Sequence, residues 1–226
     1  ATALRHASLP KSLARAADEA LCDAAAAEPQ RWDGALQSIE SAIRGAALPA
    51  SLARALETQV AAWHRDRRED MTSAEAALRR AVAHDPGDTD TLRMLVGIQR
   101  ETPSDALVAT LLTLAAATDA RNPERPSLDA LNALHEAAEV SLKLGAPGAL
   151  EILGRVQSSA LARWNAAVDD GEDDITAREH IAWALQQRVN LFARDERFAE
   201  AVEALEDAAA SRSFLGADAR VLRHRA

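Results

Sequence analysis

Apolar side chains recur along this chain every three or four residues and show no convincing alternation of the kind a strand requires. Ile181, Leu185, Val189 and Phe192 follow one another at four, four and three residues, which puts them on one face of a helix. Leu131, Leu134, Ala138 and Leu142 form a second stripe, and Leu153, Val156, Ala160, Trp164 and Val168 a third. Turn and breaker signals separate the helical stretches at Pro10, Glu28-Pro29, Leu48-Pro49, Asp85-Pro86-Gly87, Thr102-Pro103, Asn122-Pro123 through Pro126, Gly145 through Gly148, and Gly171. The pattern predicts about nine helices with short connections, and short connections make successive helices antiparallel neighbours.

Helix starts are marked as well. Thr72 with Glu75, and Thr176 with Glu179, have the capping-box spacing. In that arrangement the threonine hydroxyl accepts from a backbone N–H while the glutamate reaches back. Ser104, Ser127 and Asp88 read as simple N-caps after turns that carry proline.

Composition strengthens the all-α reading. Alanine makes up about a quarter of the 226 residues, aromatics only 3%, and tyrosine is absent. Alanine is the strongest helix former and leaves little side chain between packed backbones, whereas sheets favour β-branched and aromatic residues. Such a chain suits closely packed helices. Nearly all basic residues are arginine, with Lys11 and Lys143 the exceptions. With the alanine load, this suggests a GC-rich bacterial genome.

Three segments repeat a small-large-small pattern. Ala35, Ile39 and Ala42 share it with Ala74, Leu78 and Ala81, and with Ala201, Leu205 and Ala208. Small residues one and two turns apart let a second helix approach closely, and the large one fills the adjacent gap. In this the chain resembles the tetratricopeptide repeat family, whose second helix carries that pattern and commonly ends in proline. The stretch from Ala74 to Pro86 matches best. Leu185 to Ala208 follows, with Phe192 at the family's aromatic position and Arg197-Phe198 before the turn. There are departures. Ala35 and Ala74 lie 39 residues apart, against the family's usual 34. The helices around 105–120 and 148–168 lack a clean signature, and the latter looks unusually long. The resemblance, over about half of the chain, implies a degenerate α-solenoid of antiparallel helix pairs, a single domain over residues 1–226. A non-repeat helical bundle is the alternative. The chain lacks an initiating Met, and Ala217–Ala226 looks like the start of another helix. A segment of a larger protein is therefore expected.

Candidate chemistry is sparse. The formal net charge of −9 repels phosphate backbones, so nucleic-acid binding would need a local basic stripe. Arg65, Arg67 and Arg68 come nearest, but Asp66, Glu69 and Asp70 interleave with them and the run reads as a solvated helix end. Asp169-Asp170-Gly171-Glu172-Asp173-Asp174 has the spacing of an aspartate-rich magnesium motif. No second acidic motif accompanies it, and its glycine just before Thr176 makes it a solvated acidic loop. His84-Asp85 has the look of a metal-binding pair, but Pro86 and Gly87 follow at once, and a histidine at a helix C-terminus accounts for it. His64, His135 and His180 show no metal-ligand spacing. Cys22 reads as a small buried hydrophobe, excludes an internal disulfide and leaves the compartment open. A cytoplasmic chain and a mature periplasmic or secreted one would look alike. No phosphate loop, nucleophile elbow, cofactor motif or membrane-length apolar run occurs.

A non-catalytic scaffold that binds a protein or peptide, with no metal or cofactor, is the expectation left. In tetratricopeptide arrays the first helix of each pair lines the binding groove. In the segment around Leu185, the face offset from the core stripe carries Trp183, Gln186, Asn190 and Arg194. Asn190 sits where peptide-clamping members place an asparagine on the ligand backbone, and a side-chain amide both donates and accepts. Arg194 suits a carboxylate and Trp183 an anchor. The competing reading is an ordinary polar face with Trp183 tucked against a neighbouring helix. Trp63 with Arg67 is a second, lesser instance of the groove pattern, while Trp32 and Trp164 read as gap fillers between helices. A ligand-sensing helical domain, a helical metal-dependent enzyme centred on Asp169–Asp174, and a homo-oligomer are the rival readings.

Overall fold

The computed structural model describes residues 29–45, 48–120 and 125–210, the side chains of residues 29–33, 35 and 42 excepted. Cys22, the side chains of Trp32, Ala35 and Ala42, and the segment Ala217–Ala226 lie outside the described residues. Among those described there are nine helices, each packed against neighbours, and no strand. The fold class is all-α. The chain divides into two compact units, one ending at Ile98 and the other beginning at Gln99.

The first unit contains α1 (Pro29–Gly45), α2 (Ala50–Arg68), α3 (Met71–His84) and α4 (Thr89–Gln99). Its core gathers Leu36 and Ile43 from α1, Val60, Ala61 and Trp63 from α2, Ala77 and Leu78 from α3, and Leu95 from α4. Arg80 of α3 reaches back to Glu57 of α2, so the two helices run antiparallel. The turn into α4 is tied to α2 by Arg54, which pairs with Asp88 at 2.7 Å and with Asp85 at 3.6 Å.

The second unit contains α5 (Asp105–Asp119), α6 (Leu128–Leu144), α7 (Ala149–Asp169), α8 (Ile175–Arg194) and α9 (Phe198–Ala210). Each packs on the next in chain order. The predicted stripes are buried over most of their length: Leu131, Leu134 and Ala138 on α6, Leu153, Val156, Ala160 and Trp164 on α7, Ile181, Leu185 and Phe192 on α8. Three predicted positions fall off the core. Leu142 and Val189 are half-buried, and Val168 is 37% exposed. Spacings of four residues drift about 40° around a helix that turns every 3.6 residues. By the end of the α7 stripe, Ala167 has taken the core position instead and is buried.

The two hairpins that resemble each other in sequence are also built alike. In α2–α3, Ala74, Leu78 and Ala81 are all buried, and in α8–α9 so are Ala201, Leu205 and Ala208. Each first helix leads into a glutamate in the left-handed region, Glu69 at φ 52° and Glu196 at φ 58°. A long-reach backbone bond closes each turn, from Asp70 N–H to His64 O at 2.9 Å and from Arg197 N–H to Phe192 O at 2.8 Å. Glycine does the corresponding work after α6 and α7, where Gly145 and Gly171 have φ 64° and 80°.

Helix starts depart from the predicted capping boxes. Thr72 and Thr176 lie inside the first turn, and the caps are Asp70, which accepts from Ser73 N–H, and Asp174, which accepts from Ala177 N–H. A carboxylate at the cap both accepts the bond and faces the positive end of the helix dipole. It therefore takes the site that the threonine spacing suggested. Ser127 and Asp88 cap as expected, and Ser104 occupies the cap position without a side-chain bond. Asp70→Ala is expected to lower unfolding free energy by about 1 kcal/mol, and Thr72→Ala, at an exposed position, to change it by less than about 0.5 kcal/mol. Urea denaturation of both variants checks this; equal losses would return the cap to Thr72.

Candidate functional site

On α8, Gln186, Asn190 and Arg194 are exposed one turn apart. Gln186 donates to Asn190 through its amide at 2.9 Å, and Arg194, 66% exposed, pairs with Asp195 at 2.9 Å. Hydrogen bonding to Asp195 raises the Arg194 pKa still further, so this cation is permanent. Trp183 departs from the other three. It is half-buried and stacks on the His135 ring of α6, with centroids 3.7 Å apart and planes at 29°. His180 meets His135 edge-on at 4.9 Å, and its own Nδ1 lies 2.8 Å from Thr176 O. Trp183 is thus a helix-to-helix contact, and the polar ladder beside it is the open part of the face.

The other singled-out residues have structural partners. Trp63 is buried in the first unit's core, so the Trp63/Arg67 groove pattern does not form; Arg67 alone is exposed. Trp164 fills a gap as expected and donates from Nε1 to Asp173 at 3.2 Å. The acidic loop is held by arginines. Arg125 pairs with Asp170 at 2.6 Å, Arg178 with Asp173 at 3.2 Å, and Arg163 with the capping Asp174 at 2.7 Å. His84 ends α3 beside Asp85. No group of three or more His, Cys, Asp or Glu among the described residues is arranged to hold a metal ion. No helix among them is long and apolar enough to cross a membrane.

The first unit holds a constellation that the sequence reading passed over. Glu57 lies on the buried stripe of α2 and is 1% exposed. Arg80 grips both of its carboxylate oxygens at 3.0 Å and also bonds Glu40 of α1 at 3.1 Å. Burial pulls the Arg80 pKa down, but bonds to the two glutamates and their charges outweigh it and the net direction is up. Beside this trio lies His64, only 4% exposed, with neither ring nitrogen hydrogen-bonded. Its Nε2 is 3.6 Å from Glu40 Oε1. Glu40, His64 and Arg80 open onto a cleft of about 450 Å³ whose lining also includes Gln37, Arg68 and Asp70. Hydrogen bonds from the Ser73 backbone N–H and hydroxyl lower the Asp70 pKa, with burial opposing them. The available signal was a glutamate in step with Ala53, Ala61 and His64 on one helical face, where only apolar residues belong.

Compared with known proteins, the chain matches no family model and no curated relative.

Two measurements follow from this geometry. Arg80→Met leaves the buried Glu57 charge uncompensated and is expected to cost about 3 kcal/mol or more, whereas Glu57→Leu/Arg80→Met together recover most of that loss. Denaturant melts of the single and double variants decide it; an equally unstable double variant would show that the pair is not the unit. His135 is depressed below its ordinary 6.5, first by burial and then by His180, with Glu139 opposing. The folded state therefore prefers the neutral ring. That stability is fully present above the unfolded value near 6.5 and is lost as pH falls through it toward the lower folded value. His135→Gln should flatten the wild-type fall in denaturation midpoint between pH 7.5 and 5; an unchanged slope would assign the fall to other groups.

Proposed function

We propose that this chain is a non-catalytic interaction scaffold of the tetratricopeptide-like kind, binding a protein or peptide segment along the exposed ladder of α8. The observation that carries the reading is the pair of like hairpins. Two stretches widely separated in sequence share a buried small-large-small stripe, a left-handed glutamate at the turn and a long-reach bond closing it. Repetition of one supersecondary unit is how helical repeat domains extend a surface. In the α8–α9 hairpin that surface is polar, with an amide pair and a cation spaced one turn apart. Amides suit a partner's backbone, and a guanidinium suits its carboxylates. Trp183 contributes by fixing the helix against α6 rather than by touching the partner.

The ligand-sensing reading is the second one, and the His64 cleft favours it. An interaction domain has no need of a buried imidazole with both nitrogens unmatched beside an open volume.

Replacing Gln186, Asn190 and Arg194 by alanine together, with Trp183 left in place, should preserve the helical circular dichroism and weaken partner binding by about tenfold or more. Quantitative pull-down against source-cell lysate, followed by titration of the captured protein on wild type and variant, checks this. A partner held equally well by the triple variant would remove the α8 ladder from the function.

A further inference from the structure

We infer that the cleft bounded by α1, α2 and α3 is a binding site for a small organic cation carrying a primary ammonium or guanidinium group, seated between Glu40 and His64. The proposal is independent of the α8 ladder. It starts from the buried ring. His64 is nine-tenths buried, lines the cleft, and leaves both nitrogens without a hydrogen bond. A neutral imidazole has one donor and one acceptor, and leaving either unmatched in the interior costs stability. Something that completes those bonds from the cleft side recovers that cost.

Charge decides what that something is. Glu40 and Asp70 line the cleft with Arg68 and Arg80, and Glu57 lies buried behind Arg80 as a third carboxylate. Arg80 is committed first to Glu57, with both carboxylate oxygens bound, and offers Glu40 a single contact at 3.1 Å. Glu57 is sealed off and Asp70 is engaged as the cap of α3, so the carboxylate left for a ligand is Glu40, whose side chain is 21% exposed. It stands 3.6 Å from His64 Nε2, too far for a hydrogen bond and close enough for one N–H-bearing group to touch both. An anion entering here would meet Glu40 and Asp70 beside the guanidiniums of Arg68 and Arg80, the latter already bound to Glu57 and Glu40. An ammonium or guanidinium donates to the carboxylate and to the unprotonated ring nitrogen together, in a partly desolvated setting where such charge-assisted bonds are strongest. The cleft, about 450 Å³ in volume, leaves room for further groups on the same ligand.

The test uses the full chain at pH 8, above the ordinary imidazole range, with agmatine as a probe that carries both cationic groups. Matched sodium chloride and sodium acetate serve as controls. Agmatine is expected to raise the melting temperature saturably by about 2–4 °C at millimolar concentration and to shift the His64 ring nitrogen resonances along the same titration curve. Glu40→Gln, nearly isosteric, should weaken the response about tenfold or more. No saturable response in the wild type, an equal response in Glu40→Gln, or stabilisation by acetate instead would each overturn the proposal. Should Glu40→Gln fail to fold, the His64 resonances of the wild type decide alone: a static ring under agmatine overturns it.

Discussion

Everything in this fold follows from alanine standing where larger apolar residues usually stand. Alanine fills nearly half of the buried apolar positions among the described residues, and aromatics are almost missing. A buried alanine removes little apolar area from water, so each contributes less to stability than leucine or phenylalanine would. Helices so equipped must approach closely for their backbones and the few large residues to pack at normal interior density. Leu78 between Ala74 and Ala81, and Leu205 between Ala201 and Ala208, show the solution: one large side chain per stripe, with small ones on either side to admit the neighbour.

Close packing by small residues is permissive about register, because alanine surfaces slide past one another with little penalty. Here polar side chains supply the missing specificity. Glu57 and Arg80 pin α2 against α3, and Arg54 pins α2 to the turn before α4. In the second unit, Arg188 of α8 bonds Gln157 of α7, Arg163 of α7 holds the cap of α8, and His135 stacks on Trp183. Each lock joins positions fixed by chemistry as well as by volume. The buried ones are demanding, since a half-satisfied buried charge destabilises more than none.

The fold class and most element positions were legible in the sequence because helical periodicity, breakers and alanine content all point the same way. The legible features were local ones. Ile181, Leu185 and Phe192 declare a face without reference to anything distant. Partners chosen across helices were not legible. Trp183 lay on a plausible outer face until His135, 48 residues earlier, turned out to stack on it. Asp70 and Asp174 outcompeted threonines whose spacing matched a known box, because a nearby carboxylate is the stronger cap. Glu57 carried a signal, a charge on an apolar stripe, but its meaning depended on Arg80 and on a helix 17 residues nearer the N-terminus, where Glu40 sits.

The two candidate regions differ in what a ligand must displace. On α8 the amides of Gln186 and Asn190 are already hydrogen-bonded to one another, and Arg194 already has Asp195. A partner there exchanges one set of bonds for another, and net gains per hydrogen bond are only about 0.5–1.5 kcal/mol. Such a surface favours extended partners that add many small increments, and exchange with water keeps it reversible. At His64 no hydrogen bond needs displacing from the ring, since neither nitrogen has one to lose and Nε2 only approaches Glu40 at 3.6 Å. There a single well-placed donor recovers a cost the folded protein already bears. A small ligand can therefore gain at His64 what only a long one can gain on α8, and that difference is the reason for proposing a small molecule for the cleft and a polypeptide for the ladder.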